Sequence, residues 1–427
     1  MKTTLTLSKV LLILIIHAFS VNVRAEKKEK VQFDNDTINY LTFRGIVSDS
    51  KTSEPLMFAT LSVEGANIAT VCNSKGEFAI KVHKALSDRN IIISYTGYKQ
   101  LQKPVNEFSP ANNSVRLEMM TVPLGEVLVY PSDPNYIIGE VLERREQNYM
   151  NTPLKMTTFY RETIKKGWSY VSLSEAVINI NKQPYTNSRE DQIQLAIGRK
   201  STDYNKLDTL AFKLQGGPFT TVMLDLMKEP YLLFSQENIG NFKFSMNNIT
   251  MVDNRLIYVL NFVPHERITE PYFYGKLYID TESFAVISAS FSVDLTNREE
   301  AARMFIRKKP ISANVYPTEV SYIVNYREKD GFWYYGYSRA QISFRVNWKK
   351  KLFNTNYHVT SEMAVTNWEE TDEKGYRTSD RLRINVVMED AVSGFSDNDF
   401  WGEYNVIEPE QPIEAVINKI QRKLEKM

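Results

Sequence analysis

The chain has 427 residues, with 52 basic and 51 acidic side chains and a formal net charge of +1. That balance gives no footing to nucleic acid or an acidic polymer as partner. The length calls for two or three domains. A single cysteine excludes an intramolecular disulfide and a multi-thiolate metal site.

Residues 1–25 read as an export signal. Lys2 and Lys9 give a basic start, Val10–Ile16 is the apolar core, and Val23-Arg24-Ala25 is the cleavage site. The apolar run is too short to span a bilayer comfortably, so the expectation is cleavage, with no transmembrane span left afterwards. Residues 26–40 are polar and charged, a flexible leader.

From Phe43 to Met119, short β-prone runs alternate with turn clusters at intervals of about ten residues. Phe43–Ser48, Phe58–Val63, Ile68–Cys72, a run carrying Phe78, Ile80 and Val82 on one face, Ile91–Tyr95, and Val115 to Met119 are the expected strands. Asn73-Ser74-Lys75-Gly76 is a turn that can supply a positive φ. Cys72 beside Val71 is expected as a small core residue rather than a reactive thiol.

This pattern resembles the carboxypeptidase-regulatory-like domain of Bacteroidetes envelope proteins. Gly45, Val47, Pro55, Leu56, Ala59, Val63, Gly65, Asn73, Gly76, Phe78, Ser94, Gly97, Tyr98 and Leu117 carry the likeness, and Leu124-Gly125-Glu126-Val127-Leu128-Val129 is similar to the segment that follows it. The resemblance implies a seven-stranded β-sandwich of transthyretin type over 41–122 with no catalysis of its own. In many relatives that sandwich precedes a TonB-dependent receptor barrel.

Residues 123–134 form a linker. Asp133-Pro134 opens a helix, as N-cap and first helical residue, with Ile137, Ile138, Val141 and Leu142 at helical spacing and Tyr149 extending the stripe. The region 135–408 reads as one β-rich α+β domain. Trp168–Ile180, Leu256–Phe262, Tyr272–Asp280 (with Gly275 as a bulge), Ala285–Val293, Val315–Tyr326, Phe332–Tyr337, Ala340–Trp348, Tyr357–Thr366 and Leu382–Met388 are its expected strands. Phe219–Met227 and Asn297–Arg307 are expected short helices.

Tyr258–Pro264 followed by Tyr274-Gly275-Lys276-Leu277-Tyr278-Ile279-Asp280 is similar to paired strands of the lipoprotein-sorting carrier fold. That likeness implies a curved half-barrel holding acyl chains. Residues 409–427 carry Ile413, Val416, Ile417, Ile420 and Leu424 at helical spacing, an amphipathic helix, where a membrane barrel would close on an alternating strand.

Chemistry is sparse. After the signal the histidines are His83, His265 and His358, none in a zinc-binding motif. His265-Glu266 reads as a loop pair. No nucleophile elbow, phosphate loop or dinucleotide fingerprint occurs. Asp397, Asp399 and Glu403 offer oxygen ligands, but their spacing fails the twelve-residue calcium loop. Lys349-Lys350-Lys351 reads as a solvated hairpin tip, with too few basic residues by itself to hold a lipid headgroup firmly.

No catalytic, cofactor-binding or metal-binding residue is therefore selected, and no cofactor is expected. The expectation is a non-enzymatic exported protein, periplasmic or outer-membrane-associated. It would act in binding or assembly at the periplasmic side of the outer membrane and hold a lipid, lipoprotein or peptide, or join an envelope protein. The alternatives are a carboxylate-based hydrolase and a structural module that adds an edge strand to a partner's sheet.

Overall fold

The computed structural model describes residues 39–120, 133–202, 216–228, 239–252, 255–265, 272–305, 313–349, 353–373, 375–394 and 400–410. The expected export signal, the leader as far as residue 38, most of the linker and the helix expected after 410 lie outside them.

The N-terminal part is a sandwich of seven strands. β1 (Tyr40–Asp49), β4 (Glu77–His83) and β7 (Asn113–Leu117) form one sheet in the order β4-β1-β7. β2 (Thr60–Val63), β3 (Ala69–Val71), β5 (Asn90–Ser94) and β6 (Leu101–Pro104) form the other in the order β3-β2-β5-β6. The alternation that marked the strands puts Phe43, Val47, Leu61, Val63, Phe78, Ile80, Val82, Ile91 and Ile93 between the sheets. Cys72 is buried there as well, and burial pushes its thiol up. Phe58 departs from the expected strand. Its φ is 64°, and the ring leaves the sandwich to stack on Tyr337 of the larger sheet at 5.5 Å.

The larger part is built on one sheet of eleven strands. They are β8 (Leu154–Lys166), β9 (Ser169–Lys182), β10 (Gln192–Thr202), β11 (Phe242–Val252), β12 (Arg255–Pro264), β13 (Phe273–Asp280), β14 (Val286–Val293), β15 (Ala313–Lys329), β16 (Phe332–Trp348), β17 (Thr355–Glu370) and β18 (Ser393–Gly394). Their order is β11-β12-β13-β14-β15-β16-β17-β8-β9-β10-β18, antiparallel throughout except for the short parallel pair β10–β18. The chain closes the middle of the sheet by pairing β17 back onto β8.

Several expected boundaries shift. The strand expected from Trp168 to Ile180 is β9, starting at Ser169; Gly167-Trp168 is the tip of the β8–β9 hairpin, because Gly167 sits at φ 57° and reverses the chain. Phe332–Tyr337 and Ala340–Trp348 are one continuous strand, since Ser338 and Arg339 both keep their ladder partners. Leu382–Met388 is not a strand. It runs as turns along β10, with the Leu382 amide bonded to the Ile193 carbonyl. The expected helix Phe219–Met227 is helical only over Phe219–Val222.

Gly275 is not at a bulge. The register shift lies at Tyr278/Ile279, and Gly275 serves instead as a point of close approach: a Cβ there would stand 2.2 Å from the Ser290 carbonyl oxygen and 2.7 Å from the Phe291 Cβ. The helix Pro134–Glu143 starts as its sequence dictates, Asp133 accepting from the Asn135 amide at 2.9 Å. It buries Ile137, Ile138 and Val141 on the sheet. The helix breaks at Arg144, so Tyr149 reaches the core from a bridge to Trp333 rather than from the helix.

We call the sheet face bearing Tyr160 the inner face and the one bearing Arg161 the outer face. The sandwich and the strap 400–410 cover the outer face. Phe159, Val177, Tyr337, Ala364, Trp401, Ile407 and the sandwich residue Val71 share one apolar cluster there. Asn67 donates to the Trp368 carbonyl at 2.6 Å, and Lys329 donates to Asn67 at 2.6 Å. Asn405 exchanges two hydrogen bonds with the Lys81 backbone, so the strap runs along β4 much as another strand would.

Candidate functional site

Among the described residues of the large sheet, three groups of buried charged side chains stand out from the apolar pattern, and two of them account for themselves as structure. On the outer face Arg161 lies 2.7 Å from Glu175 and 3.4 Å from Glu362, and donates to the Ile407 carbonyl at 2.7 Å. Arg199 holds Glu175 from the other side at 2.7 Å, and Arg339 reaches Glu362 at 3.2 Å. Burial pushes the Glu175 carboxyl up, but the two guanidinium groups outweigh it and hold the carboxyl low. This network ties strap to sheet.

The second group pins the segment after Gly216. Lys182 lies 2.7 Å from both Asp191 and Asp225. Asp225 also accepts from the hydroxyls of Tyr185 at 2.8 Å and Tyr326 at 2.9 Å. Burial disfavours the Lys182 charge, yet the two carboxylates outweigh it and raise its pKa. Each of these side chains has a polar partner, as a structural network requires.

The third group is different. Glu162 on β8 faces inward and is 6% exposed. Its register partners are Ser174 on β9 and Ser361 on β17, and directly opposed residues share a face with Cβ atoms about 5 Å apart. Tyr160 donates to Glu162 at 2.8 Å and lies 3.5 Å from the Ser361 hydroxyl. Burial pushes the Glu162 carboxyl up to about 7, against the Tyr160 hydrogen bond and with help from the nearby Glu389 carboxylate. Glu389 stands on the short helix Met388–Ala391. Its Oε1 and the Ser174 Oγ are buried with no hydrogen-bond partner among the described residues. Such orphaned groups are uncommon in folded proteins and call for an explanation.

The register places this group at one end of a row that crosses ten strands. Lys200, Ser174, Glu162 and Ser361 form the polar end. Ala340, Tyr322, Phe291, Gly275, Phe262 and Phe244 continue it to the far edge. Phe291 and Tyr322 have ring centroids 5.1 Å apart, and Phe262 and Phe244 have theirs at 6.4 Å. A separate apolar cluster including Ile164, Val171, Val320, Ile342, Phe344, Tyr357 and Val359 flanks the row toward one end of the sheet. The inner face is thus amphipathic along a line: carboxyl and hydroxyl groups at one side, aromatic rings at the other.

The residues weighed from sequence fall elsewhere. His83 caps a single 3-10 turn, accepting from the Ala85 amide at 3.1 Å, and packs edge-on against Tyr40. His358 pairs with the Ser343 hydroxyl at 2.8 Å. His265 is bonded through its backbone to Asn241, and Glu266 lies outside the described residues. Asp397 and Asp399 lie outside them too, while Glu403 accepts from the Tyr40 hydroxyl at 2.7 Å. Among the described residues no three His, Cys, Asp or Glu side chains are grouped to hold a metal.

Glu162 had no sequence signal beyond being acidic in a strand whose inward positions are otherwise apolar or hydroxylic. Only the strand register joins it to Ser174, Ser361 and Lys200.

Residues 43–129 match the family model of the CarboxypepD_reg-like domain. No curated protein matches the chain. Among solved structures, a putative outer membrane lipoprotein-sorting protein domain from Vibrio parahaemolyticus is similar at 10% identity and a TM-score of 0.24, over 58% of this chain and 97% of that one. A LolA superfamily protein from Nitrosomonas europaea is similar at 11% identity and a TM-score of 0.20, over 57% and 96%. A DUF1329 family protein from Desulfovibrio piger is similar at 9% identity and 0.24, over 58% and 99%. At such scores these likenesses carry no argument about function.

Proposed function

We propose that this chain is an exported, non-enzymatic envelope protein that binds an amphiphile along the inner face of its large sheet. The apolar tail lies over Ala340, Tyr322 and Phe291, and a head group bearing a hydroxyl, amide or ammonium donor meets Glu162, Ser174 and Glu389. The observation that carries this reading is the pair of buried, partnerless acceptors, Ser174 Oγ and Glu389 Oε1, beside a carboxyl poised near neutrality. A hydrogen-bond donor entering there satisfies groups that have no partner among the described residues. The sandwich, matched to a regulatory-like domain, supplies the assembly half of the role.

Gentle purification of the full chain from its host envelope, followed by native mass spectrometry and solvent extraction, tests the reading. The expected result is one amphiphile per chain, with occupancy falling several-fold in Glu162→Ala while the circular dichroism is unchanged. A bare chain that also takes up no long-chain acyl probe overturns it.

One observation favours a second reading. A carboxyl held near pH 7 beside a second carboxyl is the arrangement a carboxylate-based hydrolase uses. Turnover of a chromogenic glycoside, abolished in Glu162→Gln, decides for that reading, and turnover insensitive to that substitution removes it.

A further inference from the structure

We infer that the end of the large sheet bearing the β8–β9 and β16–β17 hairpin tips docks on a lipid bilayer surface rich in anionic headgroups. The tips are neighbours. β8 and β17 pair directly, with Lys166 opposite Tyr357, and the Gly167 amide donates to the Asn356 carbonyl at 2.8 Å. Adjacent strands lie about 4.8 Å apart, so the β8–β9 turn stands beside the start of β17.

Each tip presents one large aromatic side chain to solvent. Trp168 is 100% exposed and Phe353 is 84% exposed. Single exposed apolar residues are ordinary, but neighbouring pairs at projecting tips are not. Trp168 gains nothing from its fold at that position. It sits second in a two-residue turn, where small polar residues or glycine would serve the backbone as well.

The charge around the tips is one-sided. Residues 163–174 and 341–361 contain no acidic side chain, and they carry Lys165, Lys166, Arg345, Lys349, Lys350 and Lys351. In a chain whose acidic and basic residues nearly cancel, that is a local excess of six. Lys350 and Lys351 lie outside the described residues and enter only as charge. The triplet 349–351 is too small alone, and the register adds Lys165 and Lys166 of the other hairpin alongside β17. Exposed indole and phenyl rings at the height of headgroups, ringed by lysine and arginine, are the chemistry of interfacial anchoring. The acidic groups near this end belong to other segments, and of them Glu410 lies near Lys165 and offsets part of its charge. Glu410 accepts from the Tyr170 hydroxyl at 3.1 Å on the strap side, and Glu319 faces the Ser343 hydroxyl at 3.4 Å within β15. Asp294, Glu299 and Glu300 lie on the β14–β15 connection.

Vesicle binding is read out whether or not the inner face holds a ligand, so the docking edge and the amphiphile site stand or fall separately. The test is co-sedimentation of the full chain with phosphatidylcholine vesicles made with and without phosphatidylglycerol. The wild type is expected to bind only the anionic vesicles, and less well as salt rises. Trp168→Ser with Phe353→Ser removes two solvent-exposed rings at no folding cost, and is expected to weaken binding by roughly tenfold or more. Arg345→Gln with Lys349→Gln is expected to cost roughly fivefold per charge and to flatten the salt dependence. Failure of the wild type to sediment with anionic vesicles overturns the inference. Equal binding by the Trp168/Phe353 variant overturns it too. Loss of a protein partner in that variant, with no vesicle binding by the wild type, assigns the tips to a protein instead.

Discussion

Replacing Glu162 with glutamine changes one proton site and little else, since the amide oxygen still accepts from the Tyr160 hydroxyl. The folded chain holds the Glu162 proton up to about pH 7, whereas the unfolded chain releases it near 4.5. The group therefore favours the folded state fully below about pH 4.5, and its contribution is lost as pH rises through 7. At about 1.4 kcal/mol per tenfold change in proton affinity, the difference amounts to about 3 kcal/mol. Glutamine cannot ionise, so the variant escapes the loss. Urea unfolding followed by circular dichroism at pH 4 and pH 8 gives the comparison. The two proteins are expected to match closely at pH 4, with Glu162→Gln the more stable by about 3 kcal/mol at pH 8. A gap of the same size at both pH values refutes the reasoning, because it means that Glu162 ionises as an ordinary exposed carboxyl. A bound ligand donor would instead stabilise the ionised wild type, so the comparison is made on extracted protein.

Two further expectations concern the outer face and the sandwich. Arg161→Ala removes the partner that Glu175, Glu362 and the Ile407 carbonyl share. Because Arg199 and Arg339 still attend the two carboxylates, the cost should fall at the low end of the range for breaking a buried pair, about 3 kcal/mol. Limited proteolysis should then cut within 400–410 at lower protease, and Arg161→Lys should not rescue it, because lysine lacks the fork that spans three acceptors. Cys72 should resist a thiol reagent at pH 8 in the folded chain and react fully in urea, since burial disfavours its thiolate. Rapid labelling of the folded protein would show that the sandwich core opens.

How much of this was legible in the sequence differs by element. The sandwich was, because its strands are short, each is half-buried, and period-two alternation with glycine and asparagine turns specifies both strand and face. Phe58 escaped that logic, since its ring serves the neighbouring sheet and its backbone follows the ring. The helix at Pro134 was legible from its cap and stripe. In the large sheet β9 and β12 to β17 fall on expected runs with shifted boundaries, whereas β8, β10 and β11 correspond to no expected strand. β8, β9 and β16 are buried along most of their length on both sides, so they lose the clean alternation that marks an edge or a turn. Trp168 therefore read as strand, although the glycine before it was the better signal.

What the sequence by itself determined is what local pattern can encode: a mainly β chain, the sandwich and its core, the capped helix at Pro134, and the scarcity of catalytic motifs. What only the tertiary structure decided is everything that depends on strand register. Glu162, Ser174 and Ser361 lie apart in the chain and share a row only because β9 folds back on β8 and β17 returns to pair with it. The same pairing sets the β8–β9 turn, which carries Trp168, beside the start of β17. Register is a property of pairs of strands, set by packing across the whole sheet. No single strand carries it, so both the candidate site and the docking edge emerge only once the sheet has closed.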